Sequence, residues 1–266
     1  METEGFFAQN TLFTRDEWLA FRQNRETTQS SADQLLKYYV AKKRLVRVRK
    51  ELYAVVAPGS DAAFVDVDPF VVCMKVVPDA VVAYHAALEF HGHAYSLHQE
   101  FAFLTEKHMA SFHFQDIKFR PVQPSKALFR QNAWQTETLN RERGMQTVRV
   151  TSLERTLVDC LDRVDLAGGW EEVWRSLASS SYYEMDRVVT YVGKLGNATT
   201  AAKVGFFLEQ NQEALRVPDS ILQELERLRP RQKHYIDSIR TPGKLVSRWN
   251  LIVPPEVLNQ TWGAVL

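Results

Sequence analysis

The residue pattern that most resembles a catalytic motif lies between positions 59 and 68. Gly59-Ser60 precedes Asp66-Val67-Asp68, as in nucleotidyltransferases, where a Gly-Ser turn precedes two carboxylates that bind Mg²⁺ for phosphoryl transfer. That motif needs a helix between the turn and the acids. The five intervening residues are too few to form one at about 1.5 Å per residue. We therefore predict an acidic linker that stops at Pro69.

Four histidines form a second cluster: His85, His91, His93 and His98. Zinc sites use ligands at compact spacings, usually with cysteine. Neither of the two cysteines is near in sequence, and no HExxH motif is present. We predict a polar helix end and loop here, with no metal or cofactor.

Other enzymatic patterns are incomplete. A metal-dependent nuclease needs a spaced (D/E)xK motif, but Glu106 and Lys107 are adjacent. The segment Gly193-Lys194-Leu195-Gly196 lacks the GxxxxGK[ST] spacing of a phosphate-binding loop. We therefore predict that the protein is not an enzyme. Two alternatives stay open: a DNA-targeted nuclease, and a ligand-sensing repressor with an apolar pocket.

Positive charge is concentrated near the N-terminus. The net charge of the 266 residues is only +1. Residues 1–58 carry ten Lys/Arg and seven Asp/Glu, whereas residues 59–266 carry 23 and 25. Positions 37–50 hold seven basic residues and no acidic one. This distribution indicates a polyanionic partner for the N-terminal unit.

Two capped helices are predicted to present this charge. Thr14-Arg15-Asp16-Glu17 has the form of a capping box, and Ser31-Ala32-Asp33-Gln34 has the same form. The second helix should end near Arg44 and bury one apolar face. Its outer face carries Gln34, Lys37, Tyr38 and Ala41. An amide, a cation, a phenol and a small residue suit contacts with base edges in a DNA major groove.

A basic β-hairpin follows the second helix. Val46 and Val48 alternate with Arg47 and Arg49, and 52–56 is a second short strand. Two helices followed by a basic hairpin is the order of a winged helix-turn-helix. The wing cations predicted to contact DNA phosphates or the minor groove are Arg47, Arg49 and Lys50. The preceding cations Lys42, Lys43 and Arg44 are also predicted to bind DNA.

Several segments resemble the AbiEi family of antitoxins, in the family's order. They are LLKYYVAKKRLVRVRKELYAVV (35–56), YHAALEFHG (84–92), VTSLERTLVDCLDR (150–163), KLGNATTAAKVGFFLEQ (194–210) and SRWNLIVP (247–254). One departure is Lys50-Glu51-Leu52-Tyr53, where the family more often has Gly before the Tyr.

The resemblance implies an antitoxin of a type IV toxin–antitoxin system. Such a protein represses its own operon by binding double-stranded promoter DNA at inverted repeats, and we expect a monomer that places two copies there. It also counteracts a nucleotidyltransferase toxin, without needing a stable complex. The expected division is a DNA-binding domain over 1–58 and an antitoxin domain over 59–266.

The larger domain is predicted to be mixed α/β, so the fold class is α/β (α+β). Helices are expected at about 168–178, 184–194, 198–210 and 218–228, and a closing strand at about 245–253. On an earlier helix, Arg155 and Asp159 are four residues apart and can form an ion pair. An alternative is that Arg155, Lys194 and Lys203 form a polar patch used against the toxin.

The remaining features predict a cytoplasmic protein. Cys73 and Cys160 are far apart and form no CxxC motif, which favours a reducing compartment. The N-terminus lacks the basic and apolar regions of a signal peptide. No apolar run approaches the roughly 18 residues of a membrane span.

Overall fold

The N-terminal part forms a small unit of helices and strands. The computed structural model describes residues 2–23 and 28–262. The elements of this unit are α1 (Glu2–Gln9), β1 (Leu12–Thr14), α2 (Arg15–Gln23), α3 (Gln29–Ala41), β2 (Leu45–Arg49) and β3 (Leu52–Val55). The two helices and the hairpin expected from the sequence are present, and α1 and β1 add to them. β1 pairs with β3, which gives an antiparallel sheet of order β1-β3-β2.

The sequence predicts the cap of α2 correctly but not the cap of α3. The Thr14 capping box is confirmed, because Thr14 N donates to Glu17 Oε2 at 2.7 Å and Glu17 N donates to Thr14 Oγ1 at 3.2 Å. The predicted box at Ser31 is wrong. Helix α3 begins at Gln29, and its cap is Thr28, whose hydroxyl accepts from Ser31 N at 3.3 Å. The helix also ends at Ala41 instead of Arg44, because Lys43 adopts a φ of 54°.

Two polar contacts hold helices α2 and α3 together. Arg15 donates to both carboxylate oxygens of Asp33, each at 2.7 Å. The buried Trp18 donates from Nε1 to Ala32 O at 2.9 Å. Both contacts hold the inner face of α3 against α2 and leave the opposite face of α3 directed away from the core.

A mixed six-stranded sheet forms the centre of the molecule. Its elements and flanking helices are α4 (Pro69–Val76), β4 (Val81–Val82), α5 (His85–Phe90), β5 (Glu100–Leu104), β6 (Phe112–Phe114), β7 (Ile117–Val122), α6 (Lys126–Arg130), β8 (Thr138–Arg143) and β9 (Gln146–Thr151). The strand order is β6-β7-β5-β4-β9-β8. Strands β5 and β7 are parallel, as are β4 and β9, while the remaining pairs are antiparallel.

A helical layer packs on this sheet. Its elements are α7 (Leu153–Asp162), α8 (Trp170–Ala178), α9 (Met185–Leu195), α10 (Ala198–Gln210), α11 (Asp219–Leu228), β10 (His234–Tyr235), β11 (Lys244–Val246), β12 (Leu251–Val253) and α12 (Pro255–Leu258). The four predicted helices of this region are confirmed, and so is the α+β fold class. The single strand expected at 245–253 is instead an antiparallel pair, β11 and β12, that turns at Trp249.

The N-terminal sheet shares a hydrophobic core with the central sheet. Leu12, Val48 and Leu52 are buried in the same cluster as Phe70 and Val150. Burying one such aliphatic side chain contributes about 1.5–3 kcal/mol. The boundary predicted at 58/59 therefore crosses a packed interface, and a fragment beginning near Ser60 would expose that apolar face.

Within residues 2–23 and 28–262, no helix is both long and apolar enough to cross a membrane.

Candidate nucleic-acid interface

The outer face of α3 presents the side chains expected for base contacts. Gln34, Lys37, Tyr38 and Ala41 are all exposed, and Tyr38 retains 53% of its accessible surface. On the opposite face Leu36 is buried in the N-terminal core. The helical periodicity of the sequence therefore predicts correctly which face of α3 is exposed, although the helix begins at Gln29 and not after Ser31 as predicted.

The corrected start of α3 changes the environment of Gln34. Because Thr28 caps the helix, Gln34 lies in the second turn and takes no part in the cap. The Gln34 side-chain amide has no hydrogen-bond partner among the described residues, 2–23 and 28–262. Lys42 Nζ lies 5.9 Å from the centre of the Tyr38 ring, which places a cation beside the phenol. The face thus combines one free amide with an aromatic ring and two cations.

Arg44 is less available than its position in the sequence indicates. Its guanidinium contacts Glu4 Oε2 at 2.6 Å, and this hydrogen bond raises the pKa of Arg44. Glu4 belongs to α1, a helix that the sequence pattern did not reveal. A phosphate group would have to displace the Glu4 carboxylate to reach Arg44.

Arg49 joins the hairpin to the central sheet. Its guanidinium lies 4.9 Å from the centre of the Phe112 ring on β6, and Phe112 in turn stacks on Phe119 with ring centres 4.8 Å apart. Arg47 and Lys50 are exposed on the same hairpin. Arg49 therefore supports the position of the hairpin, while Arg47 and Lys50 are the cations directed to solvent.

A partly buried ion pair also fixes the N-terminal unit. Lys75 on α4 donates to Glu17, the carboxylate of the α2 capping box. Burial raises the pKa of Glu17, but hydrogen bonds from Lys75 and Thr14 outweigh this effect and lower it overall. Together with the shared core, this pair sets the direction of α2 and hence of α3 relative to the larger part.

Arg155, Lys194 and Lys203 do not form a common surface. Arg155 is 1% exposed, and its Nε donates to Asp159 Oδ2 at 3.0 Å. The predicted ion pair is therefore confirmed. The alternative prediction, that Arg155 belongs to a surface patch, is wrong. Lys194 is exposed and donates to Thr136 Oγ1 at 3.1 Å. Lys203 is 9% exposed, and burial lowers its pKa.

One carboxylate from each of two incomplete catalytic motifs has a structural role. Asp68 caps α4 by accepting from Phe70 N at 3.0 Å, and it also pairs with Arg143. Glu106 accepts a hydrogen bond from Trp134 Nε1. Neither residue joins a group of potential metal ligands in the part of the chain that the structure describes.

Comparison with known proteins bears on the fold alone. No protein-family model and no curated protein sequence matches the chain. Among solved structures, the chain is similar to the crystal structure of the RV2827C protein from Mycobacterium tuberculosis, with a TM-score of 0.66 and 13% sequence identity. The match covers 97% of this chain and 92% of that chain. The two chains therefore share a fold over most of their length.

Proposed function

We propose that this protein is a DNA-binding transcriptional regulator and antitoxin of the AbiEi type. The observation that carries the DNA-binding part is the outer face of α3, where Gln34, Lys37 and Tyr38 are exposed next to a basic hairpin. The N-terminal unit acts as a winged helix-turn-helix, with α3 as the recognition helix and β2–β3 as the wing.

Two kinds of contact follow from this arrangement. Side chains on α3 read base edges in the major groove, since amides and cations pair with the donor and acceptor pattern displayed there. Arg47 and Lys50 on the wing contact phosphates, which carry no sequence information but fix the protein on the duplex. Specificity is thus assigned to α3, and much of the affinity to the wing.

The wing assignment predicts a change in salt dependence. Replacing Arg47 and Lys50 together with Gln should weaken binding to all DNA sequences alike and lower the slope of log K against log [salt] by about 2. Arg49 is left unchanged because it packs on Phe112. The measurement is a gel-shift series over salt concentration.

A matched variant controls for loss of charge. Arg231 and Lys233 are exposed on the loop after α11, and their joint replacement with Gln removes the same charge. This control should bind as the wild type does. An Arg47/Lys50 variant with an unchanged salt slope would show that the hairpin is not the wing.

The antitoxin part of the proposal assigns a second task to residues 59–266. It rests on the sequence resemblance, and the partner is the nucleotidyltransferase toxin of the same operon. Because the N-terminal unit shares its core with the rest, the two tasks are best separated by surface variants of the full chain.

We expect a full-length Lys37→Ala/Tyr38→Ala variant to rescue cells that express the toxin. Both changes lie on the exposed face of α3, so the rest of the chain keeps its structure. The variant is expressed from an independent promoter in a growth assay, with an empty vector as control. Rescue equal to that of the wild type would assign antitoxicity to residues outside α3. Growth arrest with both proteins would reject the antitoxin role.

A second candidate function is a ligand-sensing repressor. A cavity of about 510 Å³ lies between the end of α7, α8 and α10, within the volume range of small-molecule sites. Its lining includes Trp170, Ile236 and the buried Lys203. Failure of the wild type to rescue cells, together with intact promoter binding, would favour this function.

A further inference from the structure

Three metal-binding side chains meet at one place in the larger part of the molecule. His85 begins α5, His98 precedes β5, and Glu172 lies on α8. One ligand atom from each lies within 4.8 Å of the others. The two histidines come from the cluster noted in the sequence, but the carboxylate comes from a distant helix, and no spacing rule links it to them.

The buried His85 ring is incompletely satisfied. The residue is 1% exposed, and its Nε2 lies 3.2 Å from Glu172 Oε1. Its Nδ1 lies 3.0 Å from Glu89 Oε1 but makes no aligned hydrogen bond within the described residues. A neutral imidazole has one N–H for these two carboxylates. A metal ion bound to one ring nitrogen resolves this, because the other nitrogen then donates to a carboxylate, as metal-bound histidines do.

A glycine at position 168 leaves room for His98 to pack against His85. The two imidazole rings are stacked with centres 3.9 Å apart and an angle of 27° between them. Gly168 has a φ of +90°, and a Cβ atom there would lie 2.4 Å from His98 Cε1. A side chain at position 168 would therefore push the His98 ring away. His98 is only partly buried, so its ring is accessible to solvent.

Glu172 is held in place by neighbouring donors. Its Oε1 accepts from Tyr95 N at 2.9 Å and from Ser176 Oγ at 2.8 Å, and its Oε2 accepts from Ser96 Oγ at 2.5 Å. These donors orient the carboxylate, and Oε2 keeps acceptor capacity beyond the Ser96 bond.

We propose that His85, His98 and Glu172 form a binding site for a divalent transition metal ion of the zinc type, with Glu89 orienting His85. Two imidazoles and one carboxylate form a ligand set that zinc uses, and three protein ligands leave a fourth position for water. The ion would join α5, the segment before β5 and α8. This inference is independent of DNA binding, and it revises the expectation that the histidines hold no metal.

The test is a metal titration of the full-length protein after treatment with a chelator. Co²⁺ serves as the spectroscopic probe and Zn²⁺ as its competitor. We expect one ion per chain, a visible absorption band with Co²⁺, and loss of that band on addition of Zn²⁺. Glu89→Gln should weaken Zn²⁺ binding about 10- to 100-fold, as the loss of an orienting partner does. His98→Ala removes a direct ligand and should weaken binding at least as much.

His113→Ala is the matched control, because His113 is exposed on β6 and belongs to no group of metal ligands in the described chain. It should bind the ion as the wild type does. His98 is partly exposed, so its variant should fold, and circular dichroism checks this. A wild type that binds no ion, or a folded His98→Ala variant that binds as tightly as the wild type, overturns the proposal.

Discussion

Arg155→Met is expected to lower the free energy of unfolding by about 3–5 kcal/mol, the cost of leaving a buried charge without its partner. Arg155 donates to Asp159, and its Nη1 donates to Trp134 O at 2.7 Å and Thr136 O at 2.8 Å. Methionine fills similar space but supplies none of these hydrogen bonds. Chemical denaturation at pH 7 measures the loss.

The loss from Arg155→Met should shrink in acid. Burial raises the pKa of Asp159, and Arg155 opposes that shift, so its removal should raise the pKa further. A carboxyl whose folded-state pKa is raised destabilises the fold when ionised, and this penalty disappears as pH falls toward about 4, where the unfolded carboxyl also becomes protonated. Denaturation curves at several pH values test this.

Arg163→Met provides the matched control. Arg163 pairs with Asp165 at 2.8 Å, but the two side chains are 43% and 57% exposed. Exposed pairs contribute about 0–1 kcal/mol, so this change should have little effect. If the two variants lost the same free energy of unfolding, burial of the Arg155–Asp159 pair would not account for the effect of Arg155→Met.

Lys37→Ala and Tyr38→Ala should each weaken binding to the operator by about 1–3 kcal/mol, about 5- to 150-fold in Kd. Both side chains are exposed on the outer face of α3, so their loss would remove the proposed contacts with bases and leave the helix packed. Binding to random DNA should be nearly unchanged. Fluorescence anisotropy with operator and random duplexes measures both.

Lys244→Ala and Tyr182→Ala are matched controls, since both residues are exposed far from the N-terminal unit in sequence. They should leave both affinities unchanged. If the α3 variants lost affinity for the two duplexes equally, Lys37 and Tyr38 would be positioning the backbone and not reading bases.

Elements with a strong local signal could be predicted from the sequence. The stripe of apolar residues on α3 gave the exposed positions of Lys37 and Tyr38, and the four late helices follow the same rule. Short elements carry no such period. β1 has three residues, and it forms because β3 offers it an edge, so the sequence pattern did not reveal it.

Contacts between distant segments could not be predicted. Nothing near Arg44 in sequence points to Glu4, and nothing near Arg49 points to Phe112, although each partner decides what its arginine can do. The approach of Glu172 to the histidines is of the same kind. Tertiary packing brings these side chains together, and composition and spacing do not record it.

The central claim is that this chain binds its own promoter in a sequence-specific manner. Anisotropy titration of the full-length protein at physiological salt tests it directly, with one duplex from upstream of its own gene and a scrambled duplex of equal composition. Specific regulators bind their sites at least about 10³-fold more tightly than other DNA, and we predict a ratio of this order. Equal affinity for the two duplexes, or no binding to either, would contradict the account.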